Sequence, residues 1–505
     1  MVEDGKLAYN PLYLQVKDVL ARRIVDGRPG PGELLPSESR LASEFGTSIS
    51  TIRQALSLLV ADGTLVKKQG KGTMVSDRKV RVTFLSWMGE TRLGEEILAG
   101  LMRRFEEKYP AIAVDVIPTT YPETRTTLTR LISSGRAPDV AQIVSHWTSY
   151  FASSGAFLPL GGMLSQANLG FRLPGQDLFG GTYLNQLYSA AWGLCPISLV
   201  ANRNVMKAAG IQRLDSPMTL DAFRECCEKI GRLGGAGGAE AGATGAAGGA
   251  GGAGGAPGSQ PGGASPSAEA PAAFGLWYTP GVENDYLSIY TFLQAFNGEF
   301  VDEGGNLRFD SPENVAGFTW LRDFVSRTRV FVSDIFTIRR QFAANRIGFI
   351  SDGPWVKYLL EEATGEPFGK NFQVLLNPVQ ANAMTRSWTY NHAVAICSQS
   401  RNTLHAARFV EALTGDPELS LWYSSRTGIL APNKDLLGAA ELKDEHFDTY
   451  REQLRHARAI DARNPMFERA MVLCVDAVRK ILFENADIER ELAEKQYYLK
   501  MLYYD

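Results

Sequence analysis

Hydroxyl, amide and cationic side chains are concentrated between residues 37 and 71. Such groups hydrogen-bond to base edges in the major groove of DNA, and the cationic ones also contact phosphates. The side chains that we expect to contact a duplex, including one apolar residue among them, are Ser37, Arg40, Ser48, Ile49, Ser50, Thr51, Arg53, Gln54, Lys67, Lys68 and Lys71. Together they indicate recognition of double-stranded DNA.

Two short helices and a hairpin must position these side chains. Ser37 is placed to cap a helix over 38–45, and Ser48 to cap a second helix that runs to about residue 62. Two helices joined by so short a turn form a helix-turn-helix, whose second helix enters the major groove N-terminus first. Residues 64–75 then predict a two-stranded wing with a lysine-rich tip, which suits DNA phosphates.

The predicted head carries little net charge. A further helix is predicted over 11–26, and its apolar residues follow one helical face: Leu12, Val16, Val19, Leu20 and Ile24. Residues 1–78 contain 11 Lys+Arg and 9 Asp+Glu. Because a single head of this kind holds phosphates weakly, we expect a homodimer on a two-fold-related operator.

Several segments of the head match a known pattern: Pro11-Leu12-Tyr13, Leu35-Pro36-Ser37-Glu38, Thr51-Ile52-Arg53 and Gly70-Lys71-Gly72-Thr73. With these segments the head resembles the winged-helix domain of the GntR family of transcription factors. Ile49 and Ser39 stand where that family usually has arginine. The resemblance therefore implies the fold of the head and leaves the operator sequence open, because Ile49 either packs on a thymine methyl or weakens specificity.

Composition limits what the rest of the chain does. Of 505 residues, 45% are apolar, and the residues after 78 carry 41 Lys+Arg against 46 Asp+Glu, so a second nucleic-acid surface is not expected there. The five cysteines and five histidines show no metal-ligand spacing, and we expect no cofactor and no metal. An acidic start and the lack of an apolar run of eighteen residues predict neither a signal peptide nor a membrane span, and hence a cytoplasmic protein.

One segment has a low-complexity composition. Residues from about 233 to 273 are nearly all Gly and Ala, which bury too little side chain to offset the entropy of ordering them. We expect a disordered surface insertion there. The domain boundaries predicted from these patterns are a DNA-binding domain at 1–78 and a ligand-sensing domain at 79–505.

The body alternates strands and helices, which predicts a mainly parallel sheet with its ligand site at the carboxyl ends of the strands. Aromatic and polar side chains follow several predicted strands, beside loop residues rather than inside apolar stripes. A single tryptophan in such a place is more often part of the core, but the repetition favours a sugar site, where rings stack on the sugar and polar groups bind its hydroxyls. The candidate ligand-binding residues are Trp87, His146, Trp147, Trp277, Trp355, Trp388, Tyr390 and Arg426.

A second set of segments spans the body: Ala137-Pro138-Asp139-Val140, Asn202-Arg203-Asn204-Val205-Met206, Gly353-Pro354-Trp355 and Thr427-Gly428-Ile429-Leu430-Ala431-Pro432. In these the body resembles family 1 extracellular solute-binding proteins, the receptors of sugar transporters. The resemblance implies an α/β fold with an N-terminal winged helix-turn-helix followed by a two-lobed, type II periplasmic-binding-protein-like domain. It also implies crossings near 192–196 and 384–392, and sugar stacking on Trp355. The acidic-basic pair of the maltodextrin-binding relatives is missing from the loop of His146 and Trp147.

The leading hypothesis is a transcriptional regulator whose cleft senses a small carbohydrate or related solute and thereby changes operator binding. Its partners would be an operator duplex, a small-molecule effector and a second copy, with no membrane. One alternative is a transport receptor that carries an accessory DNA-binding-like head. Another is a glycoside hydrolase using Asp139, Asp352 or Glu283, but no motif pairs these acids across a bond, so we expect no enzyme.

Overall fold

The computed structural model of the chain describes residues 11–61, 63–161, 163–164, 181–234, 270–279, 286–302, 305–459 and 463–504. Most of the predicted Gly/Ala-rich insertion lies outside these residues, as does Glu283. Within the described ranges, no helix combines the length and the apolar character that crossing a membrane requires.

The head is a three-helix unit with a small hairpin. Its elements are α1 (Leu12–Val25), α2 (Glu38–Glu44), α3 (Ile49–Ala61), β1 (Leu65–Lys68) and β2 (Gly72–Val75). The two strands pair antiparallel, which confirms the predicted helix-turn-helix and wing. The core of the head forms where α1 packs on α3 through residues such as Leu20, Ile52 and Leu56, each at most 3% exposed.

The predicted apolar face of α1 is partly wrong. Leu12 and Val19 are 45% and 41% exposed, while Val16, Leu20 and Ile24 are buried. The contact with α3 covers a stripe narrower than the apolar set on α1. Burial along a helix depends on what packs against it, which helical spacing alone does not specify.

The chain then builds the first part of the body. Its elements are β3 (Val80–Ser86), α4 (Arg92–Lys108), β4 (Ile112–Pro118), α5 (Thr124–Ser133), β5 (Val140–Val144), α6 (Thr148–Ser153), β6 (Thr182–Tyr183), β7 (Gln186–Leu187) and β8 (Ser189–Gly193). Strands β3, β4 and β5 are parallel, as their alternation with helices predicts.

The second part follows without a break in the α/β pattern. Its elements are β9 (Ser198–Asn202), α7 (Arg203–Ala208), α8 (Leu220–Gly231), β10 (Ala272–Trp277), α9 (Tyr286–Gln294), α10 (Pro312–Arg327), β11 (Val330–Ser333), α11 (Ile335–Ala343), β12 (Ile347–Asp352), α12 (Val356–Thr364), α13 (Phe368–Asn371) and β13 (Phe372–Leu375).

The remaining segment returns to both parts. Its elements are β14 (Ser387–Thr389), β15 (His392–Ile396), α14 (Thr403–Gly415), α15 (Pro417–Thr427), α16 (Glu445–Arg455), β16 (Ala457–Ala459), α17 (Phe467–Phe483) and α18 (Ile488–Tyr504). One sheet has the order β4-β3-β5-β15-β8 and the other β11-β10-β12-β9-β13. We call the parts built on these sheets the first lobe and the second lobe; the two-lobed α/β fold predicted from the sequence is confirmed.

Over the residues that the structure describes, the chain crosses between the lobes three times, the last time between α15 and α16. Two of these crossing segments are tied to each other by buried side chains. The chain crosses between β8 and β9 and again between β13 and β15, within or beside the predicted stretches. Asn377 Nδ2 donates to the carbonyl of Ile197 at 2.8 Å, and Cys195 N donates to Asn391 Oδ1 at 3.1 Å. The two crossings therefore form one bonded unit.

The head lies against the first lobe. Asp26, at the end of α1, forms an ion pair with Arg408 on α14, and the Arg408 guanidinium lies 5.0 Å from the ring centre of Tyr109. Leu404, also on α14, packs against the apolar core of the head. The head thus has a side-chain contact with the first lobe in addition to its covalent connection.

We predict that Leu404→Ala loosens the head while both lobes stay folded. Truncating a fully buried leucine costs roughly 2–5 kcal/mol, so this half-buried one should cost about 1 kcal/mol or less. Hydrogen exchange should show reduced protection of the α1 amides and unchanged protection in β15. Leu473→Ala, a half-buried leucine on α17, is the matched control, and equal α1 protection in both variants would contradict the contact.

Candidate functional site

The start of α3 presents the predicted base-reading side chains. The N–H of Thr51 donates to Ser48 Oγ at 3.1 Å, so Ser48 caps the helix as predicted. The N–H of Arg40 likewise donates to Ser37 Oγ at 3.3 Å at the start of α2. Ile49 is 45% exposed on the first turn of α3, which leaves an aliphatic side chain open to solvent where a polar contact to a base would be usual.

Arg53 is already engaged in the free head, which sequence reasoning missed. Its Nε and Nη2 donate to Glu38 Oε2 at 3.2 and 2.7 Å. The hydrogen bond from Arg53, with smaller Coulombic help from Arg53 and Lys67, holds the pKa of Glu38 below its ordinary value despite partial burial. The Arg53 guanidinium is therefore held by Glu38 in the absence of DNA.

The other predicted DNA contacts lie at the surface of the head. The exposed members are Ser37, Arg40, Ser48, Ile49, Ser50, Arg53, Gln54, Lys67, Lys68 and Lys71, and Thr51 is half-buried. At the tip of the wing, Lys71 N donates to the carbonyl of Lys68 at 3.0 Å, in a turn where Gly70 has φ of 75°. A side chain at that φ would be strained, so glycine lets the wing turn tightly between its lysines.

A cavity of about 430 Å³ lies between the lobes, which is within the range of small-molecule sites. Six of the predicted ligand-binding residues line it: Trp87, Trp147, Trp277, Trp355, Trp388 and Tyr390. The lining residues that the sequence did not single out include Glu90, Tyr121, Arg125, Asp334, Arg339, Tyr358 and His392. The first lobe contributes Trp87 and Tyr121, and the second contributes Trp277 and Arg339, so the cavity needs both lobes.

Aromatic rings give the cavity flat walls. The ring of Trp355 stacks on His392, with centroids 5.3 Å apart and planes 9° from parallel, while Tyr121 stacks on Trp147 at 6.3 Å and 9°. A Cβ on residue 353 would approach the Trp355 ring to 2.4 Å, so Gly353 makes room for this tryptophan. Ring faces held in this way suit the C–H face of a sugar.

Several polar atoms of the cavity walls have no hydrogen-bond partner among the described residues. They are Nε1 of Trp147, Trp277 and Trp388, and Nδ1 of His392. A buried donor without an acceptor costs about 1–3 kcal/mol. Each of these atoms is covered by neighbouring protein atoms, so a ligand in the cavity does not reach them in this arrangement of the lobes.

The charged groups at the cavity are mostly paired. Arg339 donates to both oxygens of Asp352 at 2.7 and 2.8 Å; burial acts against its charge, but the pairing outweighs burial and raises the pKa of Arg339. Arg125 lies 3.4 Å from Glu468. Burial raises the pKa of Glu90, which accepts the N–H of Tyr121 at 2.9 Å. Since both arginines already face a carboxylate, the cavity favours a neutral ligand over an anionic one.

Two predicted ligand residues do not line the cavity. His146 is buried behind the wall, with Nε2 3.4 Å from Glu468 Oε1 and its ring 5.0 Å from that of Tyr390. Arg426, which we predicted to bind the ligand, is likewise not among the residues that line the cavity. Its guanidinium lies 4.3 Å from the ring centre of Trp422, four residues earlier on α15, because positions i and i+4 share a helix face.

A groove of about 940 Å³ continues from the cavity and shares Arg125 and Thr126 with it. Its walls come from α5, α6 and the start of α17, and they include Arg130 and Arg469. A solute longer than the cavity would extend into this groove.

Asp139 and Asp352, the two carboxylates weighed for hydrolysis that the structure describes, do not form a pair. Asp139 accepts hydrogen bonds from the amide and hydroxyl of Thr83 at 2.9 and 3.0 Å and from Ser400 at 2.5 Å. It precedes β5, at the opposite end of that strand from Trp147. Asp352 belongs to the second lobe and is held by Arg339. Glycoside hydrolysis needs two carboxyl groups facing one bond, which this arrangement does not supply.

The two lobes and the cavity between them define a solute-binding fold. The GacH receptor of Streptomyces glaucescens, solved unliganded and with acarbose, superposes with a TM-score of 0.69 at 15% identity over 85% of this chain and 99% of the receptor. A transporter solute-binding protein of Thermotoga lettingae bound with α-D-tagatose gives 0.66 at 19% identity, over 84% and 99%. Residues 90–419 match the family model of the bacterial extracellular solute-binding proteins. The chain belongs to that family.

The head matches a different family. Residues 12–75 fit the model of the bacterial regulatory proteins of the gntR family, so the chain carries a winged-helix head of that family. The mannosyl-D-glycerate transport/metabolism system repressor of Escherichia coli is 43% identical over 74 residues, 15% of this chain and 31% of that protein. The chain thus matches about a third of this relative's length, and the shared part is the head.

We predict that the fold loses stability as the pH falls below about 6.5. Burial lowers the pKa of His392 from 6.5 to about 3, so between these values the unfolded chain binds a proton that the folded chain does not. The free energy of unfolding is highest above pH 6.5 and should fall by up to about 1.4 kcal/mol per pH unit for this residue. Urea denaturation at pH 7, 6 and 5 measures the slope.

His392→Asn should reduce the slope of the unfolding free energy against pH without abolishing it. Burial also lowers the pKa of His446 to about 3, so this second histidine provides an internal reference in both proteins. Equal slopes for the two proteins would show that His392 binds its proton equally well in the folded and the unfolded chain.

Proposed function

We propose that the chain is a sequence-specific transcriptional regulator whose interlobe cavity senses a small neutral carbohydrate or a related hydroxyl-rich solute. One observation carries the proposal: the head contacts the first lobe, whereas residues of both lobes line the cavity. A solute that binds both walls stabilises the arrangement in which the lobes are close, in proportion to its preference for that arrangement.

The cavity supports the choice of ligand class. Stacked rings provide flat apolar walls, which suit the C–H faces of a sugar. Paired arginines disfavour a phosphorylated or carboxylated solute, because its charge would compete with Asp352 and Glu468. Related folds have been solved with acarbose and with α-D-tagatose, which are ligands of this general kind.

The head supports action on DNA. The relatives it matches include repressors of the mannosyl-D-glycerate system and, as probable, of fructoselysine utilisation in Escherichia coli. The capped start of α3 would enter the major groove, and Lys67, Lys68 and Lys71 of the wing would contact phosphates. Two heads of a homodimer would then read two half-sites. A transport receptor with an idle head is less well supported, since Ser48 caps α3 and the wing lysines remain exposed.

The first test is a stability-shift screen against neutral mono- and oligosaccharides, with sugar phosphates as the charged comparison. A ligand at 100 times its dissociation constant adds roughly 2.7 kcal/mol to the free energy of unfolding. DNA selected in vitro by the full chain then serves as the probe for binding with and without the active sugar. No stabilising sugar, or no effect of that sugar on DNA affinity, would refute the sensor.

We predict that Trp355→Ala abolishes the stability shift given by the active sugar while DNA binding without sugar is retained. The variant removes a ring that stacks on His392 inside the cavity. Trp422→Ala is the matched control, because this tryptophan lies outside the cavity beneath Arg426 and its loss should leave the shift intact. If both variants lose the shift, the cause is general destabilisation of the protein and not the loss of a ring that binds the sugar.

We predict that replacing Lys68 and Lys71 by alanine weakens DNA binding at all sequences and flattens its salt dependence. Each phosphate contact that is lost lowers the slope of log affinity against log salt by about 0.9. Fluorescence anisotropy at several salt concentrations measures the slope. Lys434→Ala, an exposed lysine of the body, is the control and should keep the original slope. An unchanged slope in the double variant would show that Lys68 and Lys71 of the wing do not contact DNA phosphates.

A further inference from the structure

The C-terminal helix α18 has an exposed aromatic face. Tyr497, Tyr498, Met501 and Tyr504 are 62%, 46%, 48% and 61% exposed. The opposite face is buried in the second lobe, where Leu492 and Leu499 are fully covered and Gln496 bonds to the backbone at residues 307 and 309. Grouped large apolar side chains at a surface, tyrosine above all, are typical of protein interfaces.

Charged residues on the same exposed face have no ion-pair partner among the described residues. These are Arg490, Glu494 and Lys500. The buried charge of the helix behaves differently, since Lys495 Nζ lies 2.6 Å from Asp476 and 3.3 Å from Glu491. The charges on the outer face are therefore available to a partner.

We propose that this face binds the same face of a second copy, with the two helices antiparallel about a two-fold axis at Tyr497. In such a pair, residues equally far before and after Tyr497 lie opposite each other. Glu494 then faces Lys500 of the second copy, Ala493 faces Met501, and Arg490 faces the ring of Tyr504. Each charge meets an opposite charge or an aromatic ring, and each contact occurs twice.

The spacing of the exposed residues fits a helix-to-helix seam. Positions 490, 493, 494, 497, 500, 501 and 504 are all exposed and are arranged symmetrically around 497 at helical spacings of three, four and seven. A second copy is the occupant that this symmetry selects, because an unrelated partner would not require the face to complement itself. The stretch from 490 to 504 is about 21 Å long, which is short for a permanent dimer. A contact of this length suits a reversible dimer, which becomes more stable when both heads bind the same DNA molecule.

The location of α18 links the α18–α18 dimer to ligand sensing. This link rests on the proposed function. α18 belongs to the second lobe, where it packs beside α10 and α17, whereas the head contacts α14 of the first lobe. Any rotation of one lobe against the other therefore changes the separation of the two heads in the dimer. Ligand binding in the cavity and the spacing of half-sites are then linked, and the linkage acts in both directions.

Cysteine cross-linking of the full chain tests the axis. Of the five cysteines, Cys226 is half-buried and the other four are buried. All cross-linking variants therefore also carry Cys226→Ser, so that Cys226 does not form a disulfide. Tyr497→Cys should form an intermolecular disulfide under mild oxidation, because the axis brings the two copies of residue 497 together. Arg490→Cys, equally exposed on the same helix, should not, since its two copies would lie about 21 Å apart. Cross-linking of both variants, or of neither, overturns the antiparallel pair.

Charge exchange tests the pairing independently. Glu494→Lys and Lys500→Glu each place like charges opposite one another at two symmetric positions, and each should weaken dimerisation roughly threefold to tenfold in sedimentation equilibrium. The double exchange restores opposite charges and should restore the affinity. Failure of the double variant to recover refutes the assigned partners.

The sugar-induced stability shift, measured on the same variants, separates this inference from the proposed function. A retained shift and retained DNA binding, with no cross-link at residue 497, would refute the interface and leave the sensor in place. A specific cross-link at 497 in a protein that no sugar stabilises would support the interface and refute the sensor.

Discussion

The hydrogen bonds that tie two of the crossing segments together set the geometry of the whole body. Asn377 and Asn391 are buried and bond to the backbone of the other crossing, and Ser387 Oγ both accepts from Ile197 N at 3.1 Å and donates to Ile197 O at 2.6 Å. Buried backbone groups without such partners would be costly, because water does not reach them. These bonds hold two of the crossing segments together as one unit, and the width of the cavity depends on how the two lobes are oriented about that unit.

The cavity shows how a neutral site is built among charged residues. Arg339, which is partly exposed, and the buried Asp352 satisfy each other, so their charge is unavailable to a ligand. The rest of the cavity lining is largely aromatic. A cavity with aromatic walls and paired charges favours a neutral, hydroxyl-rich ligand over a phosphorylated one.

The head shares a side-chain contact with the first lobe, whereas the exposed face of α18 belongs to the second. This division separates the DNA-facing surface from the candidate dimer surface by the crossing segments. Arg53 adds a local restraint, because Glu38 already accepts its hydrogen bonds. In the proposed regulator, contact of Arg53 with DNA would replace that pair, and the weak net charge of the head would make its affinity sensitive to the spacing of two heads.

Local rules were enough for much of this protein. Caps at Ser37 and Ser48, the glycine-flexed wing and the alternation of strands and helices each depend on a few neighbouring residues, so the sequence determined the fold class and the winged head. Strand ends likewise revealed Trp87 and Trp147, and Tyr121 follows β4 in the same way. The tertiary structure decided the rest. Arg339 and His392 reach the cavity from separate lobes, Arg426 turns to Trp422 instead, and Leu12 and Val19 stay exposed. These outcomes depend on contacts between residues that are far apart in the sequence, and the spacing of neighbouring residues does not predict such contacts.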